Sequence, residues 1–135
     1  MTAQLTFTEQ FSYADDPTGI ILPVTISFGS KTLIANAKVD PGAAVCLFSL
    51  EIGLQLGVPI EGGMPILLGS FIGGALEAYG HEVTLQTGDI VLQSVVYFAK
   101  YQGLPNNFLG RRGWLRNLKL GLVDYDNLLY LNAYD

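Results

Sequence analysis

This 135-residue chain has only one cysteine, one histidine and a charged fraction of 14%. A lone Cys46 permits no intrachain disulfide, and a cysteine nucleophile would have to recruit His81, far away in the sequence. Flanked by Val45 and Leu47, Cys46 reads as a small buried hydrophobe in a reducing compartment. Seven basic residues against twelve acidic ones give a net charge of -5. No basic stripe is present, which excludes a nucleic-acid surface as the expected function. No charge-free apolar run reaches about 18 residues, so no membrane partner is expected. Met1 to Phe7 lacks the basic start and apolar centre of a secretory leader, and a cytoplasmic location is the expectation. No spacing of acids, histidines or cysteines suits a metal or a cofactor. Asp15-Asp16 and Asp124-Tyr125-Asp126 sit in turn-forming contexts, without the remaining ligands of a calcium loop.

What is present favours strands. Half of the residues are hydrophobic and 16 are glycine, enough for one domain with a real core. Leu5 to Thr8 alternates apolar and polar and begins a first strand, which pauses at Ala14 to Gly19. Ile20 to Phe28 and Thr32 to Asp40 form a hairpin through Gly29-Ser30-Lys31. Val45 to Phe48 is a short strand. Ser49 to Leu56 is a helix, capped by Ser49, favoured by Glu51 in its first turn and stopped by Gly57 and Pro59. Met64 to Leu68 and Ala75 to Leu85 make a long hairpin with a glycine-rich tip. Ile90 to Ala99 follows, then a loop, the run Phe108-Leu109-Gly110, a short helix near Arg111 to Asn117, and a final hairpin of Leu118 to Val123 with Leu128 to Leu131. Trp114 and Leu115 read as core. Val24-Thr25-Ile26-Ser27-Phe28-Gly29 is echoed by Val83-Thr84-Leu85-Gln86-Thr87-Gly88, so the chain looks like two similar halves.

The stretch that carries chemistry is Val39-Asp40-Pro41-Gly42-Ala43. An apolar strand delivers one carboxylate into a Pro-Gly turn. Turns favour Asp, Pro and Gly for backbone reasons alone, whereas a carboxylate at the edge of an apolar core needs a partner or a task. With Gly69-Ser70-Phe71-Ile72-Gly73-Gly74 and Phe108-Leu109-Gly110-Arg111, in that order and spacing, it resembles the retropepsin-like aspartic proteases, single-domain relatives of retroviral protease. The likeness runs from about Ile20 to Leu131.

The resemblance implies an all-β fold, a mostly antiparallel closed barrel with one or two short helices. It would span 1–135 as one domain, with 1–19 as an N-terminal strand and loop and 20–135 as the core. It implies an aspartic endopeptidase acting as a homodimer on extended peptides, without a cofactor. Two carboxylates share one proton and hold a water between them, one acting as base and the other as acid. Here Asp40 is the catalytic acid, Pro41, Gly42 and Ala43 form its loop, and Leu109 stands where the second half could have offered another. Ser70, Phe71, Ile72, Gly73 and Gly74 would form the flap over the peptide, and Gly110 and Arg111 would support the site. The family's acid partner for that arginine is replaced by Ala44. Pro41 stands where the family has Thr or Ser, and lacks the hydroxyl and N–H that interlock the two loops. A weakened or inactive site follows, or alternatively a non-catalytic module that dimerises or binds peptides. Leu128 to Leu131 would be a liable edge if alone. The family's termini knit into a shared sheet, so deleting Leu129 to Asp135 is expected to give monomers or aggregates.

Overall fold

The computed structural model describes residues 1–70 and 74–134. Alternating apolar residues set the first hairpin. In β2 (Ile21–Phe28) Leu22, Val24 and Ile26 point inward, and in β3 (Lys31–Val39) Ala35 and Ala37 do so. The turn between them places Gly29 at φ 58°, a left-handed conformation that glycine adopts without penalty. The same device recurs between β6 (Gly74–Thr87) and β7 (Ile90–Ala99), where Gly88 has φ 59°. Between these hairpins lie β4 (Leu47–Phe48), the helix α1 (Leu50–Gln55), a 3₁₀ turn at Ile60–Gly62 and β5 (Met64–Ser70). Ser49 caps α1 by accepting the Ile52 N–H, as its sequence suggests.

With β8 (Asn107–Leu109) the strands close into a six-membered ring, β2-β3-β8-β4-β7-β6, sealed by pairing of β2 with β6; β5 hangs on the outer edge of β6. Two pairs, β3 with β8 and β4 with β7, are parallel, and the others are antiparallel. The sequence echo is a structural two-fold. Ile26 pairs with its own counterpart, Leu85. Leu47 and Phe48 pair with Tyr97 and Phe98 as Phe108 and Leu109 pair with Lys38 and Val39. Each half therefore threads a strand of the other between two of its own. The inside of the ring is filled by Phe48, Phe98, Val96, Leu85, Ile26 and Leu22, all buried. Trp114 joins them and donates its indole N–H to Thr87 Oγ1 at 3.1 Å, so the ring's one donor is satisfied despite its burial.

A smaller sheet, in the order β1-β10-β9, completes the fold. It consists of β1 (Glu9–Ser12), β9 (Leu118–Val123) and β10 (Leu128–Ala133). Three expectations change here. The first strand starts at Glu9 rather than Leu5, because Phe7 lies against Gly121 and Tyr130 on the face of the small sheet. The helix expected over Arg111 to Asn117 shrinks to a 3₁₀ turn at Leu115–Asn117; Gly113 at φ 99° breaks it and Arg112 bridges to Val45. Most consequentially, β10 is no edge. It is the middle strand, with Leu129 and Leu131 wholly buried. Deleting Leu129 to Asp135 would thus remove core rather than report on association.

The acidic turns are structural. Asp16 Oδ1 accepts from the Thr18 N–H and hydroxyl, which holds its carboxyl below the usual carboxylate range. Asp124 accepts the Tyr13 hydroxyl at 2.5 Å in a 3₁₀ turn closed by Asn127 in the left-handed region. No helix among the described residues is long and apolar enough to cross a membrane.

Candidate active site

β3 ends at Val39, and the chain carries Asp40 just past the rim of the ring. Its N–H donates to the Leu109 carbonyl at 3.0 Å, extending the β3–β8 ladder by one bond. Its side chain is set by the turn that follows. Oδ1 accepts the Gly42 N–H at 2.9 Å, while the Asp40 carbonyl accepts the Ala43 N–H at 3.0 Å. A Cβ on residue 42 would stand 3.2 Å from that carboxylate oxygen, a tight contact. One oxygen is thereby oriented by a backbone donor, and the half-buried side chain borders an apex where Pro41 and Gly42 are exposed.

The second run of the sequence motif backs this loop from beneath. The Arg111 N–H donates to Ala43 O at 2.9 Å and the Arg112 N–H to Ala44 O at 3.0 Å. Gly110 sits so close that a Cβ there would overlap the Val45 carbonyl oxygen and lie 2.8 Å from that of Ala43. Gly110 and Arg111 thus support the loop, but through main chain. The Arg111 side chain is exposed and makes no ion pair among the described residues.

Leu109 also changes its role. The strand register makes Lys38 the counterpart of Tyr97 and Val39 that of Phe98, so the position answering to Asp40 is Ala99. Leu109 is Asp40's hydrogen-bond neighbour instead. Ala99 has no carboxylate. It also lies at the opposite end of the frame, because β3 and β7 run antiparallel across the parallel β3–β8 and β4–β7 pairs.

Of the glycine-rich tip, Ser70 and Gly74 form the last backbone pair between β5 and β6; Phe71, Ile72 and Gly73 lie outside the described residues. Met64 and Leu67 on β5 are exposed. Two positioning residues went unseen in the sequence. Asn107 Nδ2 donates to Asn36 O and its Oδ1 accepts the Ser49 N–H, each at 2.9 Å, tying β3, β8 and the start of α1 together. Ser94 donates to Gly113 O at 2.6 Å, anchoring the turn below the Asp40 loop. Nothing in their sequence contexts distinguishes them from surface polar residues.

Cys46 is fully buried, with its thiol facing the carbonyls of Arg112 and Gly110, and burial pushes its pKa up to about 11. At pH 8 on the order of one thiol in a thousand is ionised. Iodoacetamide is therefore expected to label the protein only after denaturation; rapid stoichiometric labelling of the native chain would contradict this placement. His81 is likewise structural: Nε2 lies 2.8 Å from Ile60 O, and the ring packs between Phe28 and Phe98.

Among solved structures, a retropepsin-like aspartic protease from Rickettsia conorii is similar over 98% of this chain and 98% of its own, with a TM-score of 0.64 and 14% identity. The EIAV protease complexed with the inhibitor HBY-793 is similar over 73% of this chain and 86% of its own, with a TM-score of 0.56 and 19% identity. The chain has the retropepsin-like fold. No family model and no curated protein matches the sequence. At such identities the likeness establishes the retropepsin-like architecture, and the chemistry rests on the residues of this chain.

Proposed function

We propose that the chain is an aspartic endopeptidase acting on extended peptides as a homodimer, one domain per copy over 1–135. The observation that carries this reading is the setting of Asp40. In a retropepsin-like fold it follows the strand that ends at Val39, oriented by the Gly42 N–H and bordering an exposed apex. The chain holds no second acid at the corresponding position, since that residue is Ala99. Two copies related by a two-fold axis supply the pair. One carboxylate takes a proton from a water held between them as that water attacks the scissile carbonyl, and the other gives its proton to the carbonyl oxygen. The β5–β6 hairpin, with Ser70 to Gly74 at its tip, serves as the flap that closes over the peptide backbone.

Pro41 weakens this apparatus. It has no N–H and no hydroxyl to interlock the two loops across the axis. That loss supports a second reading, a non-catalytic module that dimerises or binds peptides. Pro41→Thr is expected to tighten the dimer by roughly tenfold, the equivalent of about one buried hydrogen bond, and to raise cleavage at mildly acid pH. Equilibrium sedimentation and a peptidase assay on the two proteins measure both; no change in either removes Pro41 from the account. Cleavage of a degenerate peptide library by the wild type but not by Asp40→Asn distinguishes the endopeptidase from the module.

A further inference from the structure

β3 carries a second charge on the face that presents Asp40. Side chains alternate along a strand, so Lys38, two residues before Asp40, projects to the same side, about 6–7 Å back along the chain. The register sets Ile21 of β2 and Phe108 of β8 on either flank of Lys38 and on that same face. All three are half-buried. The lysine stem lies along Gly19, where a Cβ would stand 2.7 Å from its Cε. An apolar bed thus holds the stem, while the ammonium makes no ion pair among the described residues.

Lys38 also borders a cavity of about 480 Å³, lined by Asn36, Ser49, Asn106 and Asn107 and by two acids, Asp16 and Glu51. The three charges differ in what already holds them. Asp16 Oδ1 is taken by the Thr18 N–H and hydroxyl. Glu51 is exposed in the first turn of α1, where a negative charge suits the helix N-terminus. Both carboxylates stand in water, whereas Lys38 is half-buried, and a charge partly withdrawn from water is screened much less. Of the three, only Lys38 belongs to the strand that leads into Asp40.

We infer that Lys38 is a specificity-determining residue that selects peptides with an aspartate or glutamate within three residues of the scissile bond. The inference rests on the reading of Asp40 as the catalytic acid. An extended peptide laid over Asp40 advances about 3.3 Å per residue, so a side chain two residues from the reacting carbonyl comes level with Lys38. A carboxylate leaves water there only if a cation meets it. The ammonium is that cation, and Ile21 and Phe108 pack against the methylenes of the acidic side chain. Two copies related by a two-fold axis each bring one Lys38, so the preference falls on both sides of the bond. The chain's net charge of -5 does not offset this contact, because charges beyond about 10 Å are largely screened at about 0.1 M salt.

Cleavage of a degenerate peptide library at about pH 5.5, where side-chain carboxylates are ionised, tests it when the product ends are read by mass spectrometry. The wild type is expected to enrich Asp and Glu over Asn and Gln roughly tenfold near the cut, on both sides. Lys38→Met keeps the apolar stem and should erase the enrichment. Lys38→Arg should retain it, and Lys38→Glu should turn it toward Lys and Arg; thermal melts show that each variant is folded. A wild type that favours basic residues or ignores charge, or a Lys38→Met with the wild-type profile, overturns the role of Lys38 and leaves Asp40-dependent cleavage standing. A wild type whose cleavage is absent, or persists in Asp40→Asn, overturns the reading of Asp40 and this inference with it.

Discussion

Asp40→Asn is expected to lower kcat/KM for peptide cleavage at least about 10³-fold, because in the proposed two-copy site it replaces both the base and the acid. Folding should be nearly untouched. Asparagine keeps a carbonyl oxygen to accept the Gly42 N–H, and the Asp40 N–H and carbonyl bonds to Leu109 and Ala43 are main-chain bonds indifferent to the side chain. The side chain is also only half-buried, so no cavity or new steric contact follows. The measurement is a steady-state assay beside a thermal melt. Residual activity near the wild-type level in a folded variant would assign the cleavage to some other group.

Gly110→Ala should be the most damaging conservative change near the site. The new methyl would overlap the carbonyl oxygen of Val45 and crowd that of Ala43. Both are backbone, so no rotamer change relieves the clash. Either β8 retreats or the 43–45 segment moves, and with it go the Arg111-to-Ala43 and Arg112-to-Ala44 hydrogen bonds that hold the Asp40 loop. A cost of about 2–4 kcal/mol is expected, lowering Tm by roughly 8–15 °C in a chain of this size. Gly69→Ala is the internal control: nothing lies within 4 Å of its added Cβ and its φ is not positive. That variant should melt within about 2 °C of the wild type. Equal melting of the two variants would mean that Gly110 is not packed as described.

The two main hairpins were legible because each rests on local signals, apolar alternation along the strands and a glycine where the turn needs positive φ. The Asp40 stretch was legible for the same reason: strand, acid, turn, strand. Strand order was not. Leu129 and Leu131 announce a buried face, but a side-chain pattern does not say whether the two backbone edges are taken, and β10 turns out to be central. Likewise the half-to-half echo suggested Leu109 as the second acid's counterpart, on the strength of a similar Gly turn. Only the parallel registers of β3 with β8 and β4 with β7 show that the place belongs to Ala99. Arg111 carried a side-chain expectation that the fold transfers to its N–H. Asn107 and Ser94 act through partners 19 to 71 residues away, which no local pattern encodes.

The number of chains that build one catalytic site can be counted directly. Isothermal titration calorimetry of the wild type with a statine-type transition-state mimic, run at a protein concentration where sedimentation shows the dimer, reads that number. One mimic bound per two chains, lost in Asp40→Asn, is the predicted result. One mimic per chain, or binding unaffected by Asp40→Asn, would contradict a site shared between two copies.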